Sequence, residues 1–241
     1  YWLFAQSLLN MAPDVQTDLG ISSGVLSTGV SITGLFSGIL IVVAGGFADA
    51  FGRVKLTYIG ILFNIIGSAA LIFASGTGLF IAGRILQGIS AACIMPATMA
   101  LVKTYFQGKD RQRALSYWSI GSWGGSGFCS FFGGAIDSNL GWRYVFVFSI
   151  VASILSGILL FGTPESIAGT QKKGRFDTFG LVLFVVSMLA LNLLVSNGGS
   201  FGWLSLKTLG LLLIVVLGLC IFYWVETHTD SGFVDFGLFE N

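Results

Sequence analysis

Charge is what this sequence has least of. Only 10% of its 241 residues are Asp, Glu, Lys or Arg, against about one-quarter in ordinary soluble domains. A single histidine, His228, leaves little for a His-based metal or catalytic centre. The three cysteines, Cys93, Cys129 and Cys220, fall inside apolar stretches without metal-ligand spacing, so they read as small core residues. The net charge of +1, with no basic stripe, gives no footing for nucleic acid. Carboxylates are missing from the middle of every hydrophobic run: Asp14, Asp18 and Asp137 lie near one set of run ends, Asp49 and Glu165 near the other. A membrane-embedded enzyme would need His, Asp or Glu clusters at mid-depth, and this pattern disfavours one. No metal or cofactor is expected.

Apolar residues are abundant at 54%, together with 34 glycines. A soluble domain of this length could not hide so much apolar surface, whereas lipid can solvate it. A membrane-crossing helix needs about 20 apolar residues, and small residues allow the close helix contacts common in bilayers. Hydropathy predicts a first span at 1–12, read as truncated because Tyr1 lies inside a hydrophobic run. Further spans are predicted at 24–45, 56–74, 79–102, 114–136, 145–161, 179–195 and 209–225. The expected fold is all-α and polytopic.

Cytoplasmic loops accumulate Lys and Arg. If the first span runs outward, the inner loops hold Arg53, Lys55, Lys103, Lys109, Arg111, Arg113, Lys172, Lys173 and Arg175, and the outer loops only Arg143 and Lys207. That asymmetry puts the N-terminus in the cytoplasm. The expected organisation is a six-helix bundle at 1–163, a cytoplasmic linker at 164–176, two further spans at 177–227 and a tail at 228–241. The tail carries Asp230, Asp235 and Glu240 but no Lys or Arg.

Three constellations stand out as functional candidates. Residues 45–55 read Gly45-Gly46-Phe47-Ala48-Asp49-Ala50-Phe51-Gly52-Arg53-Val54-Lys55. So short a charged loop must turn sharply, with Gly45, Gly46 and Gly52 supplying the backbone freedom. Asp49 is placed to meet a helix N-terminus or a neighbouring arginine, holding one side shut. Arg84 sits inside a span, where a charge costs roughly 2.5–3.5 kcal/mol and normally faces a cavity or a partner. Gln87, Gly88, Ala91 and Ala92 lie on or beside its face, and a cavity-bordering stripe is expected; carbonyl bonds to the next helix are the structural alternative. Gly121, Gly125, Cys129 and Gly133 recur every fourth residue, broadened by Gly124, Gly127 and Gly134, as a seam for close helix packing. Aromatic residues including Trp2, Phe4, Trp118 and Trp123 are candidates for lining an apolar pocket; Gln6, Asn10, Trp118 and Trp123 form the candidate substrate site. Trp142, Arg143 and Tyr144 suit an outer interface anchor.

Taken together, these residues resemble the major facilitator superfamily. Residues 45–55 resemble its cytoplasmic gating loop between the second and third helices, with Ala50 where a basic residue is usual. Arg84-Ile85-Leu86-Gln87-Gly88 resembles its fourth-helix motif, whose arginine is implicated in proton coupling. Gly125 to Gly134 resembles the fifth-helix antiporter motif, with Cys129-Ser130 in place of Gly-Pro. The runs Lys109-Asp110-Arg111-Gln112-Arg113-Ala114-Leu115-Ser116-Tyr117-Trp118 and Ala91-Ala92-Cys93-Ile94-Met95-Pro96-Ala97-Thr98 are similar to the fourteen-span drug:proton antiporter branch and its quinolone resistance pumps. The resemblance implies a proton-driven efflux transporter of the plasma membrane, acting as a monomer on small amphipathic drugs, with its C-terminal bundle absent here. The proton gradient, rather than a cofactor, would drive it. An uptake transporter on the same fold and a non-transporting assembly partner are the alternatives.

Overall fold

The computed structural model describes residues 2–167, 178–202 and 205–228. The side chain of Trp2, the linker residues Lys172, Lys173 and Arg175, and the acidic tail lie outside the described residues. Everything described is helix, turn or short connection, with no strand among the described residues. The chain divides into two units, Tyr1–Gly169 and Thr170–Asn241.

The first unit opens with α1 (Trp2–Ser7), a 3₁₀ turn (Leu8–Met11) and α2 (Ala12–Leu19). Ser22 then caps α3 (Ser23–Phe51) by accepting the Val25 N–H at 3.3 Å. After it come α4 (Arg53–Ile72), α5 (Thr77–Tyr105), α6 (Gly108–Ser119), a π turn (Ile120–Gly124), α7 (Gly125–Leu140) and α8 (Arg143–Leu159). The second unit pairs α9 (Thr178–Phe201) with α10 (Leu206–His228).

Among the described residues, five helices are long and apolar enough to cross a membrane: α3, α4, α5, α9 and α10. The other predicted spans are less regular. The first is broken by its 3₁₀ turn. The fifth is interrupted by the π turn at 120–124, one to two turns before Cys129-Ser130. The sixth, α8, has 17 residues, or about 26 Å at 1.5 Å per residue, slightly less than the hydrocarbon thickness of about 30 Å. Between α7 and α8 the chain bends by 119°.

Two apolar clusters hold the first unit together. Near one end, Leu8, Met11, Val15, Leu71, Phe80 and Phe146 are buried together. Near the other, Ala44, Ala48, Leu56, Ala92, Cys93 and Ala97 form a cluster of mostly small side chains. The close approach there and along α5 depends on glycine. A Cβ on Gly60 would lie 2.6 Å from Ile94, one on Gly83 2.8 Å from Leu71, and one on Gly88 2.7 Å from the Thr33 carbonyl oxygen. Outward faces are apolar instead: Leu62, Phe73, Ile158 and Leu159 are exposed, a surface that hydrocarbon accommodates and water does not.

Candidate functional site: a charged corner and a buried arginine

The Asp49 segment is not the loop that its glycines predicted. α3 continues through Gly45 and Gly46 to Phe51, and only Gly52 lies between it and α4. A one-residue joint between two long helices needs an unusual backbone, and Gly52 supplies φ 113°. Its missing side chain matters as well, since a Cβ there would come within 2.5 Å of the Glu165 carboxyl carbon. Gly45 instead faces Pro96 at an ordinary 4.0 Å.

Because the helix continues, Asp49 and Arg53 sit four residues apart across the joint. The Arg53 guanidinium donates to Asp49 Oδ1 from Nη2 at 2.8 Å and from Nε at 3.1 Å. Its Nη1 also donates to Thr104 Oγ1 of α5 and, at 3.2 Å, to Ser166 Oγ. One arginine therefore ties the α3–α4 joint to α5 and to the segment after α8. The N-terminus of α4 is met by Glu165, not by Asp49. Its Oε1 accepts the Val54 N–H at 2.9 Å and its Oε2 the Lys55 N–H at 3.0 Å, satisfying first-turn donors that a helix leaves open. Desolvation acts to raise the Glu165 pKa. The N–H donations of Val54, Lys55 and Ser166, together with the charge of Lys55, outweigh it and hold the carboxyl below its ordinary value. Tyr105 adds a hydroxyl bond to the Pro164 carbonyl. Sequence reasoning placed Glu165 at an inner end but missed this role. The one available hint was an acid following Pro164 just past an apolar run.

Arg84 faces no open cavity in this structure. It is 1% exposed, and its guanidinium donates to the Gly29 carbonyl of α3 at 2.9 Å, the Ala5 carbonyl of α1 at 3.1 Å and Gln87 Oε1 at 2.6 Å. Thr33 of α3 donates back to the Arg84 carbonyl at 2.9 Å. The carbonyl-bound arrangement thus replaces the expected cavity-bordering one. Carbonyl dipoles on two neighbouring helices can stabilise a buried cation. Gln87 relays the network onward, its Nε2 donating to Ser68 Oγ at 3.3 Å. Gly88 lets α3 lie directly on α5 one turn further on.

The small-residue seam divides into a packed part and an open part. A Cβ on Gly125 would lie 3.2 Å from Leu3, and one on Gly133 2.7 Å from Ser7. Ser7 donates to the Cys129 carbonyl at 3.0 Å. Gly125, Cys129 and Gly133 therefore form the contact with α1. Gly121 and Gly134, expected in the same seam, meet nothing within 4 Å.

Of the candidate substrate residues, Gln6 is half-buried and Asn10 is exposed. Trp118 is half-buried, with its indole N–H donating to Thr98 Oγ1 at 3.0 Å, while Trp123 is 62% exposed. Trp142 departs from the expected interface anchor: it is 4% exposed and stacked edge-on against Phe146. Its indole N–H donates to Asp18 at 3.0 Å. Arg143 pairs with Asp18 and donates to the carbonyls of Ile72 and Ala74 at 3.0 and 2.9 Å, fastening the start of α8 to the end of α4.

The first unit is thus a helical bundle with a carboxylate–arginine corner at one end and a carbonyl-bound arginine in its interior. Residues 1–240 match the Major Facilitator Superfamily, and the protein belongs to that family of transporters. It is 49% identical over all 241 residues to the quinolone resistance protein NorB of Staphylococcus aureus strain MRSA252, and to the same protein of strain Newman. The chain spans about half of those relatives, 52% of their length. Among solved structures, a peptide transporter POT in complex with sulfate superposes with a TM-score of 0.66 at 16% identity, covering 95% of this chain and 49% of that one. The POT family transporter PepTSo gives 0.55 at 14% identity, covering 96% and 55%. At such identities the likeness speaks for the fold alone.

Proposed function

We propose that this chain is the N-terminal part of a proton-driven multidrug exporter working by alternating access. The observation that carries the reading is the corner where Arg53 joins Asp49, Thr104 and Ser166 while Glu165 caps α4. A cluster that ties α3, α4, α5 and the end of α8 together at one end of a bundle is suited to latch that end closed and to release when the helices rock. The export direction and the drug class rest on the similarity to the quinolone resistance proteins. The cytoplasmic placement of the corner and of the N-terminus rests on the Lys and Arg asymmetry. Arg84 would couple movement of α1 and α3 to protonation, because its bonds to Ala5 and Gly29 bridge those helices.

The test uses the protein continued through its second half. Cells producing Asp49→Asn are expected to lose most export of a fluorescent cationic dye at undiminished protein level. Dye export equal to the parent would remove the latch. Everted vesicles of the parent should accumulate the dye when their interior is acidified; no such uptake would overturn proton-driven export.

A further inference from the structure

Between α4, α5 and α8, with Phe4 of α1 at its edge, lies a cavity of about 250 Å³ that belongs to none of the constellations above. Six of its lining side chains are polar and none is charged: Thr57 and Asn64 of α4, Thr98 of α5, and Ser149, Ser153 and Ser156 of α8. The polarity is confined to inward faces. Thr57, Asn64 and Ser153 are buried, whereas the nearby Tyr58, Leu62 and Ile154 are exposed apolar or aromatic side chains. Hydroxyls inside a bundle surrounded by hydrocarbon cost free energy unless something bonds them.

These side chains lie between the two arginines. From Arg84 a chain of hydrogen bonds runs to Gln87 at 2.6 Å, from Gln87 to Ser68 at 3.3 Å and from Ser68 to Ser149 at 3.3 Å. Asn64 extends it, donating to Ser149 Oγ at 3.0 Å and to Ser153 Oγ at 2.7 Å. At the far end Thr57 donates to the Arg53 carbonyl at 2.8 Å. Among the described residues no bond joins these two ends, and the cavity fills the interval. Along α4, Thr57 to Ser68 spans about 17 Å at 1.5 Å per residue, over half the hydrocarbon thickness of about 30 Å.

Fastening α4 to α8 accounts for Asn64, Ser149 and Ser153. It does not account for Thr57 and Ser156, which donate only to carbonyls of their own helices. Their oxygens remain able to accept, since a hydroxyl does both. A buried water needs two to four polar partners, and hydroxyls from three helices supply them. Ser149 at the closed end is 1% exposed, while Ser156, one turn before the end of α8, is exposed. The cavity therefore opens toward the end that carries the Arg53 corner.

We infer that this cavity is a water inlet, leading from the Arg53 end of the bundle to Ser149 and so to the serines beside the Arg84 network. Water filling it completes a polar track between the two arginines through the interior of the first unit. Only the use of the track rests on the function proposed above: in a proton-driven transporter, water and hydroxyls in file give protons a route toward the interior hub. The presence of the water is tested without transport.

The experiment uses the protein continued through its second half, in lipid nanodiscs, with modified residues mapped by peptide mass spectrometry. X-ray irradiation turns bound water into hydroxyl radicals that oxidise the side chains beside it. Ile61, which lines the cavity and is buried, is expected to be oxidised several times faster than the exposed Leu62 next to it. Ala152→Leu, which fills the cavity, should bring Ile61 down to the level of Leu62. A second measurement compares Ser153→Cys with Ile154→Cys toward a small methanethiosulfonate reagent. Only the thiolate reacts, and it forms in water, so the buried position should react about tenfold faster than the exposed one. Oxidation of Ile61 no faster than that of Leu62 in the parent, or equal thiol rates at the two positions, would overturn the inlet. Absence of proton-driven dye uptake by the parent would remove the proposed function and leave these comparisons standing.

Discussion

Arg53 and Arg84 are both heavily bonded cations of the first unit, and they are held in opposite ways. Arg53 lies at a helix joint with its side chain 15% exposed and shares a carboxylate that is itself 39% exposed. Arg84 is enclosed, and its named partners are two backbone carbonyls and a neutral amide. Exposed ion pairs contribute only about 0–1 kcal/mol, so the corner can open at little cost to the fold. Buried acceptors left without donors cost about 1–3 kcal/mol each, so the interior network resists change. The first arrangement suits a latch, and the second a hub that several helices share.

Breaking the hub should have the largest effect. Arg84→Ala removes a donor from the Ala5 carbonyl, from Gln87 Oε1 and from the Gly29 carbonyl, which keeps Thr33 Oγ1 at 3.3 Å, and it empties the space of a fully buried side chain; a loss of about 3 kcal/mol is expected, read as a clear fall in melting temperature in nanodiscs. An unchanged melting temperature would erase the distinction between the two arginines. Next comes Gly88→Val, whose side chain would press on Thr33 and Phe36; overpacking should cost about 1–3 kcal/mol. Gly121→Ala, entering open space, should stay within about 0.5 kcal/mol, and equal losses from the two would show that space around the seam does not decide the outcome.

At the corner the effects should be smaller and partly functional. Gly52→Ala forces φ 113° on a residue with a Cβ and pushes against Glu165, for a cost of about 1–3 kcal/mol. Dye export should fall along with stability; a variant that melts and transports like the parent would mean the joint is loose. The smallest effect is acidic. Glu165 has a folded-state pKa below its ordinary 4.5, so its contribution is fully present above that ordinary value and is lost as pH falls through the lowered one. Melting temperature should therefore drop with acidification, and Glu165→Gln should flatten that dependence. Parallel curves for the variant and the parent would detach Glu165 from the α4 N-terminus.

Part of this site was legible from residue order. The Asp49–Arg53 pairing follows from four-residue spacing once α3 is continued to Phe51, and what hid it was glycine, since Gly45 and Gly46 suggest a turn where the helix in fact runs on. The burial of Arg84 was legible as well, because a cation inside an apolar run has few alternatives. Its partners were not, since the carbonyls of Ala5 and Gly29 carry no residue signature. Glu165 lies 111 positions from Val54, and nothing local joins them. Trp142 next to Arg143 reads as an interface pair, yet the bend after α7 turns the indole inward against Asp18 and Phe146.

Composition and period alone dictate a helical protein for a lipid solvent, with its rare charges gathered at helix ends and one left inside, because hydrocarbon tolerates no other distribution. Which acid caps α4, which carbonyls hold Arg84 and which glycines lie against a neighbour came only from the folded chain. Those contacts join distant segments through backbone atoms and empty space, and every residue type offers nearly the same backbone.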